Sequence, residues 1–369
     1  MSNKRFLLAI FCRPCNTAEI AARVPKTTLE TVAEKANVSI STVSRVLNGK
    51  QGVNEATRRR VLSALAGSNY PKINSGISPV SSRVLGVLVP VAAQHWGLHS
   101  NFIQEGMRAV TDIGRQSNYV TTVGAFHPDL RNSAEDRMIV DRQFAGVLLF
   151  RTRDDMEDSR PFRERGIPYI VVNRLLPDTP IHYVGVDHEE VSRRATSYLI
   201  ESGYRRISIL LGDVSYISHR LYLSGYKKAH HAAGRKVDPS LIETIELNSE
   251  EGYSATERLM KLRKRPDSLI VPSDRAALGS LKAFRDLKIR VPEHVGLVAL
   301  DSNTDTMFSN PTLTAVEIPW YEMLSVGTTL LIRMIEDKAP IEQIGIRFAS
   351  RLVVRESTRS KRSRSLIAP

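Results

Sequence analysis

Cysteine is scarce in this chain of 369 residues: Cys12 and Cys15 are the only two, and both lie near the start. C-x-x-C spacing alone fits redox or metal chemistry, but no second pair of Cys or His stands nearby to close a zinc site. Long apolar runs are missing as well. None approaches the ~18–20 residues that a helix needs to span a bilayer. Phe6–Phe11 follows Lys4 and Arg5, but it is short, and Arg13-Pro14-Cys15 makes a poor cleavage site for a secretory leader. Residues 1–26 therefore read as a disordered extension, or as an upstream start not used in the cell. Catalytic signatures are absent too. The nine histidines form no H-E-x-x-H, there is no G-x-x-x-x-G-K loop, and no Gly-rich dinucleotide fingerprint follows a strand. The expectation is a cytoplasmic protein that is not an enzyme and needs no cofactor and no metal. The competing class is a ligand-binding or sugar- or nucleotide-processing protein built on paired α/β lobes. Steady turnover of a ligand would favour that class.

Acidic residues are rare at both ends of the chain. Residues 1–83 hold 13 Lys and Arg against 4 Asp and Glu, a net +9. Residues 351–369 hold 6 against 1, a net +5, and the stretch between is close to neutral. A basic N-terminal module attracts polyanions, because phosphate neutralisation supplies most non-specific affinity for DNA. The length suits two or three domains with a full core, and a hydrophobic content of 42% is ordinary for a globular protein.

Residues 27–70 explain the first basic block. Leu29, Val32, Ala33 and Ala36 recur at the offsets of one helix face, and Thr27 and Glu30 have capping-box spacing. A polar turn at Asn37–Ser39 follows, and Ser39 suits the N-cap of a second helix starting at Ile40. Val43, Val46 and Leu47 form its inner face. Ser41, Ser44, Arg45 and Asn48 form the outer one, which offers hydroxyls, an amide and a guanidinium without a carboxylate. Such a face fits phosphate oxygens and base edges in a major groove. Helix, short turn and small polar helix make a helix-turn-helix.

The middle of the chain alternates strand-like and helix-like segments. Val84–Pro90, Tyr119–Phe126, Gly146–Phe150, Pro168–Asn173 and His182–Asp187 read as buried strands, with helices at Phe102–Gln116, Ala134–Phe144 and Glu189–Ser202. The pattern restarts with strands at Arg206–Gly212, Ile242–Leu247, Ser268–Pro272, Val295–Leu300 and Leu313–Ile318. Helices are expected there at Leu221–Ala233, Tyr253–Lys264, Arg275–Leu287 and Trp320–Asp337. Two such series predict an α/β fold of two similar lobes with parallel sheets. Ligands of such sheets bind where strand ends meet. Asn173, Arg174, Asp187, Asp213, Ser273, Asp274 and Asp301 all lie just past strand ends, and Arg220 opens a helix. For Asp187, Asp213 and Asp274 a helix cap or a loop turn is the competing role.

These residues resemble the lac repressor family of bacterial transcription regulators. The V-S-x-x-T-V-S-R-V-L-N-G run at Val38–Gly49 matches its helix-turn-helix signature. Further matches follow in order: Gly86–Pro90, Val171–Arg174, His219–Tyr226, Val295–Asp301, Asn310–Val316 and Arg351–Thr358. The resemblance runs from about Thr27 to about Arg359. It implies a helix-turn-helix at 27–70, a linker at 71–83, a two-lobed periplasmic-binding-protein-like effector and dimerisation domain at 84–358, and a basic tail at 359–369. It also implies a homodimer on a pseudo-palindromic operator in double-stranded DNA, a repressor released or engaged by a small polar metabolite such as a sugar or sugar acid, and no membrane partner. The DNA-facing set is Thr28, Ser39, Ile40, Ser41, Thr42, Ser44, Arg45 and Asn48, with Ile40 and Ser41 at base-reading positions. The implied effector set is Phe102, Asn173, Arg220, Ser273 and Asp301. Ser273-Asp274 replaces the family's usual Asn-Asp, and Ser100-Asn101-Phe102-Ile103 matches the aromatic N-P-F-F only in part. His95, Trp96 and His99 share one first-lobe loop and read either as a stacking platform or as a loop cover. In the linker Gly76 and Pro79 break helical periodicity, which leaves open whether the family's hinge helix forms, with Ile77 or Val80 as a candidate apolar wedge.

Overall fold

The computed structural model describes residues 29–47, 53–66, 83–90, 102–126, 143–150, 159–302, 304–337 and 343–359. Residues 13–82 form one unit, and the chain from Arg83 onward belongs to another. The expectations for residues 1–26, for most of the linker, for positions 134–142 of the expected 134–144 helix, for the His95–His99 loop and for the tail after Arg359 fall outside the described residues, while Gln143 and Phe144 are described and are not helical.

In the first unit, α1 (Leu29–Ala36), α2 (Ile40–Leu47) and α3 (Glu55–Ala66) enclose a small core. Val32, Ala33, Ala36, Val43, Val46 and Val61 are buried together. Their spacing puts one apolar stripe on each helix, and stripes of this kind hold short helices that would be marginal alone. Asn37 takes φ 51°, the left-handed conformation that asparagine tolerates at a helix end. Asn54 caps α3, its side-chain oxygen accepting from the Thr57 amide at 2.8 Å.

The larger unit contains two sheets. The first is built from β1 (Val84–Pro90), β2 (Val120–Phe126), β3 (Gly146–Phe150), β4 (Tyr169–Val172), β5 (Tyr183–Val186) and β11 (Gly345–Phe348), in the order β11-β5-β4-β3-β1-β2. All of its pairings are parallel. The second is built from β6 (Ile207–Leu211), β7 (Ile242–Thr244), β8 (Ser268–Val271), β9 (Gly296–Ala299), β10 (Thr314–Glu317) and β12 (Arg351–Val353), in the order β12-β10-β9-β8-β6-β7. Its pairings are parallel except at the edge, where β12 runs antiparallel to β10. Helices cover both faces, which is why the central strands read as unbroken apolar runs: every residue of β3, β6, β8 and β9 is buried.

The two series are not consecutive in space. After β5 the chain crosses to the second lobe, where the His188–Glu201 helix packs through Val191, Ala195 and Leu199. After β10 it returns, and the Trp320–Glu336 helix packs on the first sheet through Trp320, Met323, Leu324 and Leu331. β11 then completes the first sheet, and β12 closes the second. Each lobe thus borrows elements from the far end of the chain. The order of segments alone suggested two self-contained series; β11 was not foreseen.

Candidate functional site

The outward side of α2 is built as its periodicity dictates. Val43 and Val46 are fully buried, while Ser39, Ser41 and Arg45 are exposed and Ile40 keeps 45% of its surface. Thr42 and Ser44 are half-buried. The Ser39 hydroxyl accepts from the Thr42 amide at 3.2 Å, so it caps the helix. It also lies 2.8 Å from the Ser41 hydroxyl and 2.9 Å from that of Thr42. Three hydroxyls therefore cluster at the helix start, one turn from the Arg45 guanidinium. Among the described side chains of α2 there is no carboxylate. Thr28 and Asn48 lie outside the described residues.

In the larger unit the expected ligand groups sit at the carboxyl ends of parallel strands. Asn173 follows β4 and takes φ 62°. Its amide N–H donates to the Val184 carbonyl at 2.8 Å. Its side chain is buried, and its Oδ1 has no partner among the described residues. Asp301 follows β9. Its Oδ1 accepts from the Ser302 amide at 2.9 Å and from the Trp320 indole N–H at 3.2 Å. Trp320 belongs to a helix packed on the first sheet, so this bond joins the two lobes. The indole also stacks on Phe150, with centroids 6.5 Å apart. Sequence reasoning passed over Trp320. The available signal was a tryptophan at the first position of a helix, directly after a strand.

Arg220 stands in the first turn of the Ile217–Ala232 helix. Its guanidinium donates to the carbonyls of Val214 at 2.6 Å and Ser215 at 3.2 Å. The loop after β6 is thus folded around the arginine, and Asp213 tightens it by accepting from the Ser215 amide at 2.8 Å. Ser273 caps the Asp274–Asp286 helix: its Oγ accepts from the Ala276 amide at 3.4 Å and donates to the Leu247 carbonyl at 3.3 Å. Its hydroxyl is therefore engaged within the protein. Asp274 is buried, with Oδ1 accepting from the Arg275 amide at 2.7 Å and Oδ2 unpartnered among the described residues. Burial pushes its carboxyl above the usual carboxylate range. Asp187 acts as an N-cap, accepting from the Glu190 amide at 3.0 Å, and pairs with Arg347 at 3.3 Å. Asp187 and Asp213 thus serve as a cap and a turn. Phe102 opens a π-helical turn, Phe102–Gly106, ahead of the Met107–Gln116 helix; its side chain lies outside the described residues.

A second group that sequence reasoning missed sits between these residues. His188 is buried at the start of its helix, with Nε2 2.8 Å from the Asn173 carbonyl and Nδ1 3.1 Å from the Tyr222 hydroxyl. Tyr222 lies two residues beyond Arg220 on the same helix. His219 packs edge-on against the Tyr222 ring at 5.7 Å, and its Nδ1 accepts from the Gly212 amide at 3.1 Å. No group of His, Cys, Asp and Glu among the described residues is placed to hold a metal ion, and no described helix is long and apolar enough to cross a membrane.

Comparison with known proteins agrees with this geometry. The model for bacterial regulatory proteins of the lacI family matches residues 28–72, and that for the periplasmic binding protein-like domain matches residues 196–358. The HTH-type transcriptional regulator CelR of Thermobifida fusca is 29% identical over 337 residues, spanning 89% of this chain and 98% of the relative. The HTH-type transcriptional repressor CytR of Escherichia coli is 28% identical over 308 residues, spanning 83% and 89%. The solved structure of the transcriptional regulator CelR–cellobiose complex superposes with a TM-score of 0.67 at 28% identity, covering 90% of this chain and 100% of that one.

Proposed function

Since this chain belongs to the lacI family of bacterial regulatory proteins and is a DNA-binding regulator of transcription controlled by a small molecule, we propose that it is a homodimeric repressor whose effector is a sugar held by Asn173, Arg220, Asp301 and Trp320. The Asp301–Trp320 pair carries this reading. A carboxylate from one lobe and an indole from the other meet at 3.2 Å. Sugars present both hydroxyl donors and a weakly polar ring face, and a carboxylate beside an aromatic ring answers both. The relative solved with cellobiose supports the same class. Arg220 adds a planar fork for vicinal hydroxyls or a sugar carboxylate. Asn173 supplies an acceptor that has no partner among the described residues.

On the DNA side, Ile40, Ser41 and Arg45 read base edges, while Ser39, Thr42 and Ser44 set the register on the phosphates. One such helix contacts too few base pairs for genomic specificity, which argues for two copies on a pseudo-palindrome. The test begins with operator selection by the full-length protein from a random DNA pool. The selected duplex is then titrated with protein in the presence of cellobiose, glucose, galactose, gluconate or ribonucleosides. A pseudo-palindromic consensus whose binding shifts with a sugar or sugar acid is expected. A shift with ribonucleosides alone refutes the sugar assignment, and a consensus without dyad symmetry refutes the dimer.

A further inference from the structure

Asn173 and Arg220 belong to different lobes, and the structure connects them through one imidazole. The Asn173 carbonyl can only accept, so His188 Nε2 carries the proton across the 2.8 Å contact. In the neutral ring Nδ1 is then an acceptor, and it takes the Tyr222 hydroxyl at 3.1 Å. The Tyr222 ring stands edge-on to the imidazole, with centroids 5.1 Å apart and planes 87° apart. All three residues are buried, so water does not compete for these bonds. The chain runs from the first lobe into the second at this point, between β5 and the His188–Glu201 helix. The same imidazole anchors the main chain of Asn173, which holds a left-handed conformation at φ 62°. That conformation aims the side chain independently of the strand's ordinary alternation.

We propose that His188 is a positioning residue for the effector: by tying the Asn173 main chain to Tyr222 it sets the separation between the first-lobe amide and the second-lobe guanidinium of Arg220. The assignment of Asn173 and Arg220 to the effector rests on the sugar reading above; the tie itself does not. His188 touches no ligand in this scheme. Its neutral Nε2–H tautomer satisfies both neighbours at once, whereas a residue able to bond only one of them breaks the tie.

Pulsed electron–electron resonance on the full-length protein tests the tie without any effector. Nitroxide labels are attached at Gln116→Cys and Lys227→Cys, both exposed positions, one in each lobe. Cys12 and Cys15 are replaced by serine, and labelled protein is diluted into unlabelled protein so that distances within one chain dominate. Tyr222→Phe keeps the edge-on ring and removes only the hydroxyl. His188→Gln keeps a donor for the Asn173 carbonyl. Both variants are expected to broaden or shift the inter-lobe distance distribution while operator binding persists. Where the parent protein binds cellobiose, Tyr222→Phe should weaken that affinity roughly 2- to 10-fold, the scale of one neutral hydrogen bond. A Tyr222→Phe distribution identical to the parent overturns the proposal, whatever happens to thermal stability, because a purely structural role would lower stability without moving the lobes. A parent protein that responds to none of the sugars tested counts against the sugar reading alone, and the distance comparison still decides the tie.

Discussion

Replacing Gly225 with alanine tests how closely the second lobe is packed. Gly225 lies on the Ile217–Ala232 helix where it crosses the His188–Glu201 helix. A Cβ built there meets the Glu189 carbonyl oxygen at 2.0 Å and the Arg193 amide nitrogen at 2.8 Å. Both obstacles are backbone, so no side chain can swing aside, and the helices must separate by about 1.4 Å to restore ordinary van der Waals contact. Overpacking of this kind costs about 1–3 kcal/mol, and a clash with rigid backbone belongs at the upper end. Alanine recovers about 0.5–1 kcal/mol of helix preference over glycine. The net expectation is a loss of about 2 kcal/mol, or a melting temperature lower by roughly 4–8 °C for a body of this size. The same movement should weaken effector binding, since these two helices carry His188, Arg220 and Tyr222. Calorimetric unfolding of the full-length protein, with operator binding as a control for the separate N-terminal unit, gives both numbers. A raised melting temperature would refute the reasoning, because it is the outcome for a glycine with open space beside it.

Three further outcomes are expected. Arg45→Ala should weaken specific operator binding by about 1–3 kcal/mol, and an unchanged footprint would mean that α2 does not face the DNA. Arg220→Ala and Asp301→Ala should each abolish the response to effector and leave operator affinity intact; wild-type effector affinity by calorimetry in both variants removes these residues from the site. His230 is buried against Tyr226 with both ring nitrogens unpartnered among the described residues, and burial, reinforced by the Arg235 charge, lowers its pKa. Its folded-state pKa therefore lies below the unfolded value of about 6.5, so stability is complete above that pH and declines as pH falls toward the folded value. Denaturant titrations at about pH 7.5 and about pH 5.5 should show a smaller difference in His230→Phe than in wild type, and equal differences would rule out this histidine as the cause.

What could be read from the sequence was local. The Leu29–Ala36 and Ile40–Leu47 helices follow from apolar offsets and caps within a few residues, and the buried strands from runs such as I-S-I-L-L at Ile207–Leu211. Placing Asn173 and Asp301 at strand ends required nothing more. Long-range pairing was not readable. The apolar face of Trp320–Glu336 fits either sheet equally well as a sequence, and only the three-dimensional packing puts it on the first. G-I-R-F at Gly345–Phe348 is short and half-exposed, with no strong strand signal. The engagement of the Ser273 hydroxyl depends on a neighbouring segment of its own lobe, and the partners of His188 and Trp320 depend on which segments meet across the lobes; spacing within a segment encodes neither.

The three crossings also constrain synthesis. The first sheet lacks its edge strand and one covering helix until Phe348 has emerged, although five of its strands are made before residue 187. A growing chain therefore carries a half-covered apolar sheet while the whole second lobe is translated. Such a nascent intermediate is a natural client for chaperones. For the same reason a fragment ending near residue 187 is a poor candidate for an autonomous domain. Cutting the gene between the lobes yields two incomplete halves, and a working first lobe would require residues 320–348 to be joined back to it through a new linker.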